Sequence, residues 1–485
     1  MKKIFFLLLF VSPIALLGQT SVQTAVASFV DYWAFKNAGV TITVRDLADG
    51  SIIASHNRDL ALPPASIAKL FSTASAFEIL GEKYTPKTEL YTDGKINTSG
   101  VLEGNLYLRA LGDPTLGSKY FYDEGAEDQY LNSWIQDMKL SGIKEITGKI
   151  IVDGSAFGYQ GCPEGWTWGD MGNYYGAGPS AVIINDNILQ YYFKTSSVGK
   201  TSTLIRTVPE IEGLRLLNNI KGQNVSGDNS LIYGAPYSLD LYSSGSLPYN
   251  RSSFMVKGTV PDPEKLLSKK LYDAIITNGI KVSDGYDYAR NLWMTNTDQK
   301  SYASMTLIKS WEGKTIEEIA FHTNMQSVNI FAEQLVCLIG YEKKGEGSTA
   351  YGLDFIMDYW KGKLGLKHLH LHDGSGLSRT NAISSNQFTL LLKYMAGSEK
   401  YAVFKSTLPT AGQSGTLRNV CKGQTADGRV FAKSGTMNRI KSYAGYVKSK
   451  SGKELCFSMT VNNYDCSNSA TVDQMEKIFN AMANY

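Results

Sequence analysis

The spacing of apolar residues changes period along the first eighty positions. Val40-Thr41-Ile42-Thr43-Val44 alternates, Ala48-Asp49-Gly50 turns the chain, and Ser51-Ile52-Ile53-Ala54 returns it; this predicts an antiparallel strand pair. Ile67, Leu70, Phe71, Ala74, Phe77 and Leu80 then recur at helical spacing. Pro63 and Pro64 stop any helix upstream, and Gly81 suits a C-terminal cap. The pattern therefore predicts a largely buried helix opening at Ser66. Another helix is predicted over residues 22–35.

From about 85 to 300 the texture shifts to short strands, turns, and many Tyr and Gly residues. Leu106–Leu111 reads as a strand running into Gly112-Asp113-Pro114-Thr115-Leu116. Helices are expected over 127–140 and 263–278. Each is followed by a glycine (Gly142, Gly279) and a strand, a likeness attributed to shared cap chemistry and not to a true repeat. Residues 195–260, rich in Ser, Tyr, Asn and Gly, read as a small all-β insert. Alternating helix and strand patterns return after 300. They end in the strands 442–447 and 455–461, a turn at Ser449-Lys450-Ser451-Gly452, and a terminal helix over 471–483. Both ends share one texture, so they are expected to build one domain with the middle inserted into it.

Composition narrows the class. The 485 residues are 43% hydrophobic and 19% charged, which suits a globular chain of two or three domains. A net charge of +3 without any basic block leaves no electrostatic footprint for nucleic acid. Lys2 and Lys3 precede an apolar run over 4–17 that is short for a membrane span, so a cleaved secretory leader ending near Gly18-Gln19-Thr20 is expected, with no transmembrane anchor left afterwards. Two pairs and one free thiol can be drawn among Cys162, Cys337, Cys421, Cys456 and Cys466 in fifteen ways, and spacing does not choose among them. No Cys-x-x-Cys occurs, so no structural zinc is expected.

Three polar stretches carry candidate chemistry. Lys69 lies three residues after Ser66, over the same helical face. A serine hydroxyl needs a base to become a nucleophile, and a lysine serves only as the neutral amine. At its ordinary pKa roughly 1 lysine in 2,500 is neutral at pH 7. Burial and the positive end of a helix both push toward that form. Ser-x-x-Lys also occurs at Ser141–Lys144 and Ser197–Lys200, but neither opens an apolar helix. Ser327 and Asn329 precede the apolar run 330–336 and, on a turn before that helix, can point into one cleft. Lys433-Ser434-Gly435-Thr436 precedes the 442–447 strand; on an edge strand its hydroxyls, cation and backbone can hold a carboxylate, with the glycine allowing close approach to the backbone.

Taken in order, Ser66-x-x-Lys69, Ser327-x-Asn329 and Lys433-Ser434-Gly435 resemble the three signatures of penicillin-recognising serine enzymes. The long gap between Ser66 and Ser327, and the segments Gly112–Leu116, Asp373-Gly374-Ser375-Gly376-Leu377-Ser378-Arg379 and Leu408-Pro409-Thr410-Ala411-Gly412, are similar to one group within them. That group is the D-alanyl-D-alanine carboxypeptidase/endopeptidase family, the class C low-molecular-mass penicillin-binding proteins, and the likeness covers nearly the whole mature chain. The resemblance implies an α/β multidomain fold: a penicillin-binding/β-lactamase-like transpeptidase domain, an antiparallel sheet flanked by helices, with two inserted domains. The corresponding division is a leader over 1–20, the peptidase domain over 21–85 plus 300–485, an inserted α+β domain over 86–194 plus 261–299, and a small β domain over 195–260.

The resemblance also implies roles. Ser66 is the nucleophile, Lys69 the general base, and Ser327 passes the proton to the leaving amine with Lys433 nearby. Asn329 binds the acyl-side amide. Lys433, Ser434 and Thr436 hold the terminal carboxylate, and the N–H groups of Ser66 and Thr436, beside Gly435, form the oxyanion hole. Arg379 and Met437, and less closely Trp166, Trp168 and Asp170, fit contacts to the side-chain end of a stem peptide. The implied partners are peptidoglycan stem peptides and β-lactam antibiotics as covalent inhibitors, in the periplasm, with no cofactor. Carboxypeptidase and endopeptidase action, and the oligomeric state, stay open at this point.

Rival readings meet specific obstacles. Lys367-His368-Leu369-His370-Leu371-His372, read as a strand, would put three histidines on one side, but they are read as a solvent face and no metal is expected. No Gly-x-Ser-x-Gly elbow supports an ordinary Ser-His-Asp hydrolase. A β-lactamase needs a group that activates the deacylating water, and no Glu-x-x-Leu-Asn segment supplies one. A non-catalytic wall-binding protein on the same fold would not need Ser66, Lys69, Ser327, Asn329 and Lys433 all intact.

Overall fold

The computed structural model describes residues 13–297 and 301–485. The basic start of the expected leader and most of its apolar run lie outside the described residues. Contacts group the chain into two compact units. The first takes the N-terminal stretch up to Ile67 together with Leu366–Leu369 and Ala382–Tyr485; the second takes Ala68–Gly365 and His370–Asn381.

The first unit is built on one antiparallel five-stranded sheet. Its strands are β1 (Gly39–Asp46), β2 (Ile52–His56), β3 (Val430–Met437), β4 (Ile440–Lys448) and β5 (Glu454–Asn462), in the spatial order β2-β1-β5-β4-β3. β1 pairs with β5 from Gly39↔Asn462 to Asp46↔Leu455, so the two ends of the chain share the centre of the sheet. The alternation in β1 does not separate a core face from a wet face, because both faces are covered. Val40, Ile42 and Val44 join a core with Val22, Val26, Phe29, Phe457, Met459, Met475 and Phe479, which brings in the helices Pro13–Val30 and Asn468–Ala483. Thr41 and Thr43 face the helix Ser385–Ala396, where the Ser385 hydroxyl lies 2.8 Å from each threonine hydroxyl. Small hydroxyls paired with one another let a helix pack on that face without stranding a polar group.

The second unit includes the helices α1 (Lys69–Ile79), α2 (Ile316–Met325), α3 (Asn329–Lys344) and α4 (Thr349–Leu364). α1 is buried along its length from Lys69 to Phe77 and packs against α2 and α3. α3 is buried from Ile330 through Gly340, with Glu333 and Gln334 inside that run. Gln334 Nε2 donates to the carbonyls of Gly112 and Ser180, at 3.0 and 2.9 Å. Thr306–Glu312 pairs with Lys87–Thr92 at the edge of a five-stranded sheet that also holds Leu106–Ala110, Ile150–Asp153 and Tyr286–Tyr288. The Ser- and Tyr-rich stretch forms two three-stranded sheets; the first includes Ile188–Lys194, so the β region starts before residue 195.

Three expectations change. The two helix–glycine–strand stretches are alike beyond their caps. Glu145–Ile146 pairs in parallel with Lys281–Val282, and the following strands pair in parallel with each other, so both stretches follow one path in neighbouring positions. Residues 367–372 do not form a strand. After the Gly365 cap (φ 66°), His368 takes φ 58°, a left-handed angle that a strand does not hold, and His370 makes only an isolated bridge; the expected sidedness is kept, with Leu369 and Leu371 buried and His368 and His370 exposed. Finally, the five cysteines are all free thiols.

Phe479 is fully buried, with edge contacts to Tyr443 and Phe457 at ring-centroid distances of 5.3 Å each. Phe479→Ala is expected to cost about 3–5 kcal/mol of unfolding free energy, measured by urea denaturation, because the sheet and two helices cannot collapse into the space.

Candidate functional site

The candidate residues divide between the units: Ser66, Lys433, Ser434, Gly435, Thr436 and Met437 lie in the first, and Lys69, Ser327, Asn329, Asp170 and Arg379 in the second.

In the first unit the segment carrying Ser66 is held by the sheet. Asn462 Nδ2 donates to the Pro63 carbonyl (3.2 Å), and Ser442 Oγ to the Pro64 carbonyl (2.5 Å). Ala65 sits at φ 51°, a left-handed conformation that a non-glycine residue adopts only under constraint. Ser66 then lies in a 3₁₀ turn, Ala65–Ala68, and the α-helix proper starts at Lys69. The glycine of the third stretch has a definite reason. A Cβ on Gly435 would lie 2.3 Å from Ser442 Oγ, 2.8 Å from the Pro64 carbonyl and 2.9 Å from the Ser66 nitrogen. The close approach is thus to the protein's own backbone at Pro64 and Ser66. Lys433 is fully buried, and its ammonium donates to the Ser434 carbonyl at 2.9 Å. Ser434 Oγ donates to Thr416 Oγ1 at 2.8 Å. Thr436 is exposed near the end of β3, where Lys441 Nζ donates to its Oγ1 at 2.7 Å; Met437, the last residue of the strand, is half-buried. The Leu408–Gly412 segment covers the outer edge of β3 through Ala432 N to Pro409 O and Ala411 N to Val430 O, at 3.0 and 2.9 Å.

In the second unit the centre is Lys69. Its side chain is wholly buried, and Nζ donates to Asn329 Oδ1 (2.6 Å) and to the Ser375 carbonyl (2.7 Å). Burial lowers its pKa to about 7, although the Asp373 and Glu333 carboxylates pull the other way. A buried ion otherwise needs a close counter-ion, and here desolvation wins. Asn329 opens α3, and its Nδ2 donates to the Tyr175 carbonyl at 2.7 Å, so both ends of its amide are engaged. Two residues earlier Ser327 stands at φ 61°, on the turn anticipated before the helix.

Sequence reasoning missed the scaffold behind Lys69. Glu333, one turn along α3 from Asn329, accepts the Gly374 and Ser375 N–H groups at 2.9 and 2.8 Å. That grip turns the Ser375 carbonyl toward Lys69, while Ser72 Oγ donates to the Gly374 carbonyl at 2.6 Å. Burial, with Asp373 adding to it, raises Glu333 to about 8. Asp373, also buried, accepts from Gly376 N, Ser378 N, Asn381 Nδ2 and Trp166 Nε1 at 2.6–2.9 Å and so closes the 373–381 loop on itself. A carboxylate inside the apolar run 330–336 was the available signal for Glu333. The inward-facing cation on β4 was the signal for Lys441.

The remaining candidates fall as follows. Trp166 is buried with its N–H on Asp373. Trp168 is exposed and lies 4.9 Å from the Tyr233 ring. Asp170 accepts from Thr167 N and Oγ1 in a capping box. Arg379 is exposed at the end of the Asp373 loop. Among the described residues no cluster of His, Cys, Asp and Glu could hold a metal ion.

Comparison with known proteins places this arrangement. The model of the D-Ala-D-Ala carboxypeptidase 3 (S13) family matches residues 22–485. The chain is 29% identical over 463 residues to the D-alanyl-D-alanine carboxypeptidase of Actinomadura sp. (strain R39), covering 92% of this chain and 81% of that one. It is 24% identical to D-alanyl-D-alanine carboxypeptidase DacB of Haemophilus influenzae, covering 92% and 93%. Crystal structures of penicillin-binding protein 4 (dacB) from H. influenzae share the fold. One superposes with a TM-score of 0.80 at 20% identity over 95% of this chain and 99% of that one. Another, complexed with a β-lactam, gives 0.75 at 19% over 96% and 100%. The chain therefore belongs to the D-Ala-D-Ala carboxypeptidase 3 (S13) family and is a serine-type D-Ala-D-Ala carboxypeptidase.

Proposed function

We propose that Ser66 carries the acyl group and that the substrates are peptidoglycan stem peptides ending in D-Ala-D-Ala. Ser66 Oγ attacks the carbonyl of the penultimate D-Ala as the neutral Lys69 amine takes its proton. The oxyanion is met by the N–H groups of Ser66 and Thr436, each worth on the order of 10²–10³ in rate. Collapse breaks the peptide bond; the leaving amine takes a proton through Ser327, with Lys433 nearby, and the acyl group stays on Ser66 as an ester. Water, deprotonated by the same base, then frees the shortened peptide. Lys433, Ser434 and Thr436 hold the terminal carboxylate, Asn329 turns toward the acyl-side amide, and Arg379, Met437 and Asp170 meet the stem side chain. A D-Ala amide whose leaving amine belongs to a neighbouring stem presents the same reacting atoms, so cross-link cleavage belongs to the same proposal. A β-lactam acylates Ser66 in the same way.

The observation that carries this reading is the buried Lys69 with a pKa lowered to about 7. About half of such lysines are free base at pH 7, against roughly 1 in 2,500 of exposed ones. The chain acts after export, in the periplasm, as Lys2, Lys3 and the following apolar run suggest; among the described residues no helix is long and apolar enough to cross a membrane. The inserted regions, 86–194 with 261–299 and the nested 195–260, shape access to cross-linked substrate.

Three measurements bear on this. Intact mass after benzylpenicillin is expected to show a lasting adduct that is absent from Ser66→Ala; rapid release of the adduct would favour a β-lactamase instead. The acylation rate constant at low penicillin is expected to fall about tenfold per pH unit below roughly 7 and to level off above it, because only the deprotonated base works. Lys69→Met is expected to lose about 10²–10⁴ of that rate. The nested β region is pinched where Thr195 N donates to the Arg251 carbonyl at 2.9 Å. Replacing 196–250 by a short turn is expected to keep penicillin acylation and to abolish cross-link cleavage in muropeptide digests; unchanged cleavage would remove any role for that region in access.

A further inference from the structure

Lys441 stands on β4 directly opposite Thr436 in the β3–β4 ladder. It is 7% exposed. Its Nζ donates to Thr436 Oγ1 at 2.7 Å and lies 4.7 Å from the centre of the Tyr443 ring. No carboxylate of the described residues lies within ion-pair distance of it. A buried lysine without an acidic partner is costly, and replacing such a charge with an apolar chain of the same shape is usually neutral or stabilising. The fold thus keeps a cation whose side-chain hydrogen bond, among the described residues, goes to one hydroxyl, on a threonine that is itself exposed.

That contact has a chemical consequence. An ammonium can only donate. When it donates to Thr436 Oγ1, the oxygen's acceptor role on that side is used, and the threonine's own O–H must point elsewhere. Thr436 lies near the end of β3 on the exposed side, so its hydroxyl becomes a donor toward solvent or a bound anion. Charge beneath it polarises the O–H further.

We infer that Lys441 is a positioning residue for ground-state binding: it fixes the Thr436 hydroxyl as a donor to the substrate's terminal carboxylate and adds a second positive charge behind that contact. The inference rests on the reading of Thr436 as part of the carboxylate site. It assigns no role in proton transfer, so the effect falls on binding and not on bond breaking.

The test compares wild type, Lys441→Met, Lys441→Arg, Thr436→Val and the double variant Lys441→Met/Thr436→Val, with a peptide ending in D-Ala-D-Ala and with benzylpenicillin. Lys441→Met is expected to raise KM about 10- to 100-fold with kcat little changed, the size of one charge-assisted hydrogen bond. Its melting temperature is expected to stay level or rise, since an unpaired buried charge has gone. Lys441→Arg should recover most of the loss, and Lys441→Met should do little in the Thr436→Val background, as expected of two residues acting through one contact. An unchanged KM in Lys441→Met, or full additivity with Thr436→Val, would overturn the inference, as would a fall in kcat alone. Wild-type protein that forms a penicillin adduct while Lys441→Met matches it in KM removes this inference and leaves the enzyme assignment standing; wild type without an adduct removes both.

Discussion

The site depends on how one lysine is denied water. Lys69 is wholly buried, and its amine donates to the Asn329 side chain and the Ser375 carbonyl. Neither neutralises it. The lowering from 10.5 to about 7 corresponds to about 4 kcal/mol of folding stability given up at neutral pH relative to an exposed lysine. The sign follows from the depressed value: the folded state binds the proton more weakly, so the penalty is full below about pH 7 and vanishes above about 10.5. Folding stability is thus exchanged for an amine that gives up its proton far more readily than an exposed lysine does.

The arrangement around Lys69 persists because its acceptors are themselves over-determined. Glu333 grips two consecutive N–H groups of the 373–381 loop, and Asp373 gathers four more donors from the same loop and Trp166. These buried carboxylates are satisfied by backbone and amide donors, which makes them affordable in a region of low dielectric. They also hold the Ser375 carbonyl at a fixed distance from the lysine. The segment carrying Ser66 has a different support. Pro63 and Pro64 are tied to β5 and β4, and the absence of a side chain at Gly435 lets β3 run against the backbone of Pro64 and Ser66. Ala65, which precedes Ser66, and Ser327 itself both hold left-handed backbone, the kind of strain a rigid surround can maintain.

Much of this was legible along the chain. Apolar spacing located the helix after Ser66 and the strands 442–447 and 455–461, because each of those periods is a local property of a few turns or residues. The order of the three polar stretches pointed to the family. Local pattern misled where a single backbone angle decided the outcome. A left-handed His368 keeps the Lys367–His372 run from forming a strand although its leucines still face inward, and the two helix–glycine–strand stretches, alike in their caps, prove to be neighbours in the same sheets. The alternation in β1 could not say that its threonine face would be covered by a helix offering Ser385.

By itself the sequence determined which side chains could do the chemistry, their order, and the secondary elements they open or close, since these follow from residue type and short-range spacing. Tertiary structure alone decided the burial that lowers the pKa of Lys69, the need for glycine at 435, the bracing role of Glu333 and Asp373, and the partnership of Lys441 with Thr436. Lys69 and Asn329 are 260 residues apart and Lys69 and Ser375 are 306 apart. Desolvation depends on every group packed around a charge, so no stretch of chain read on its own contains it.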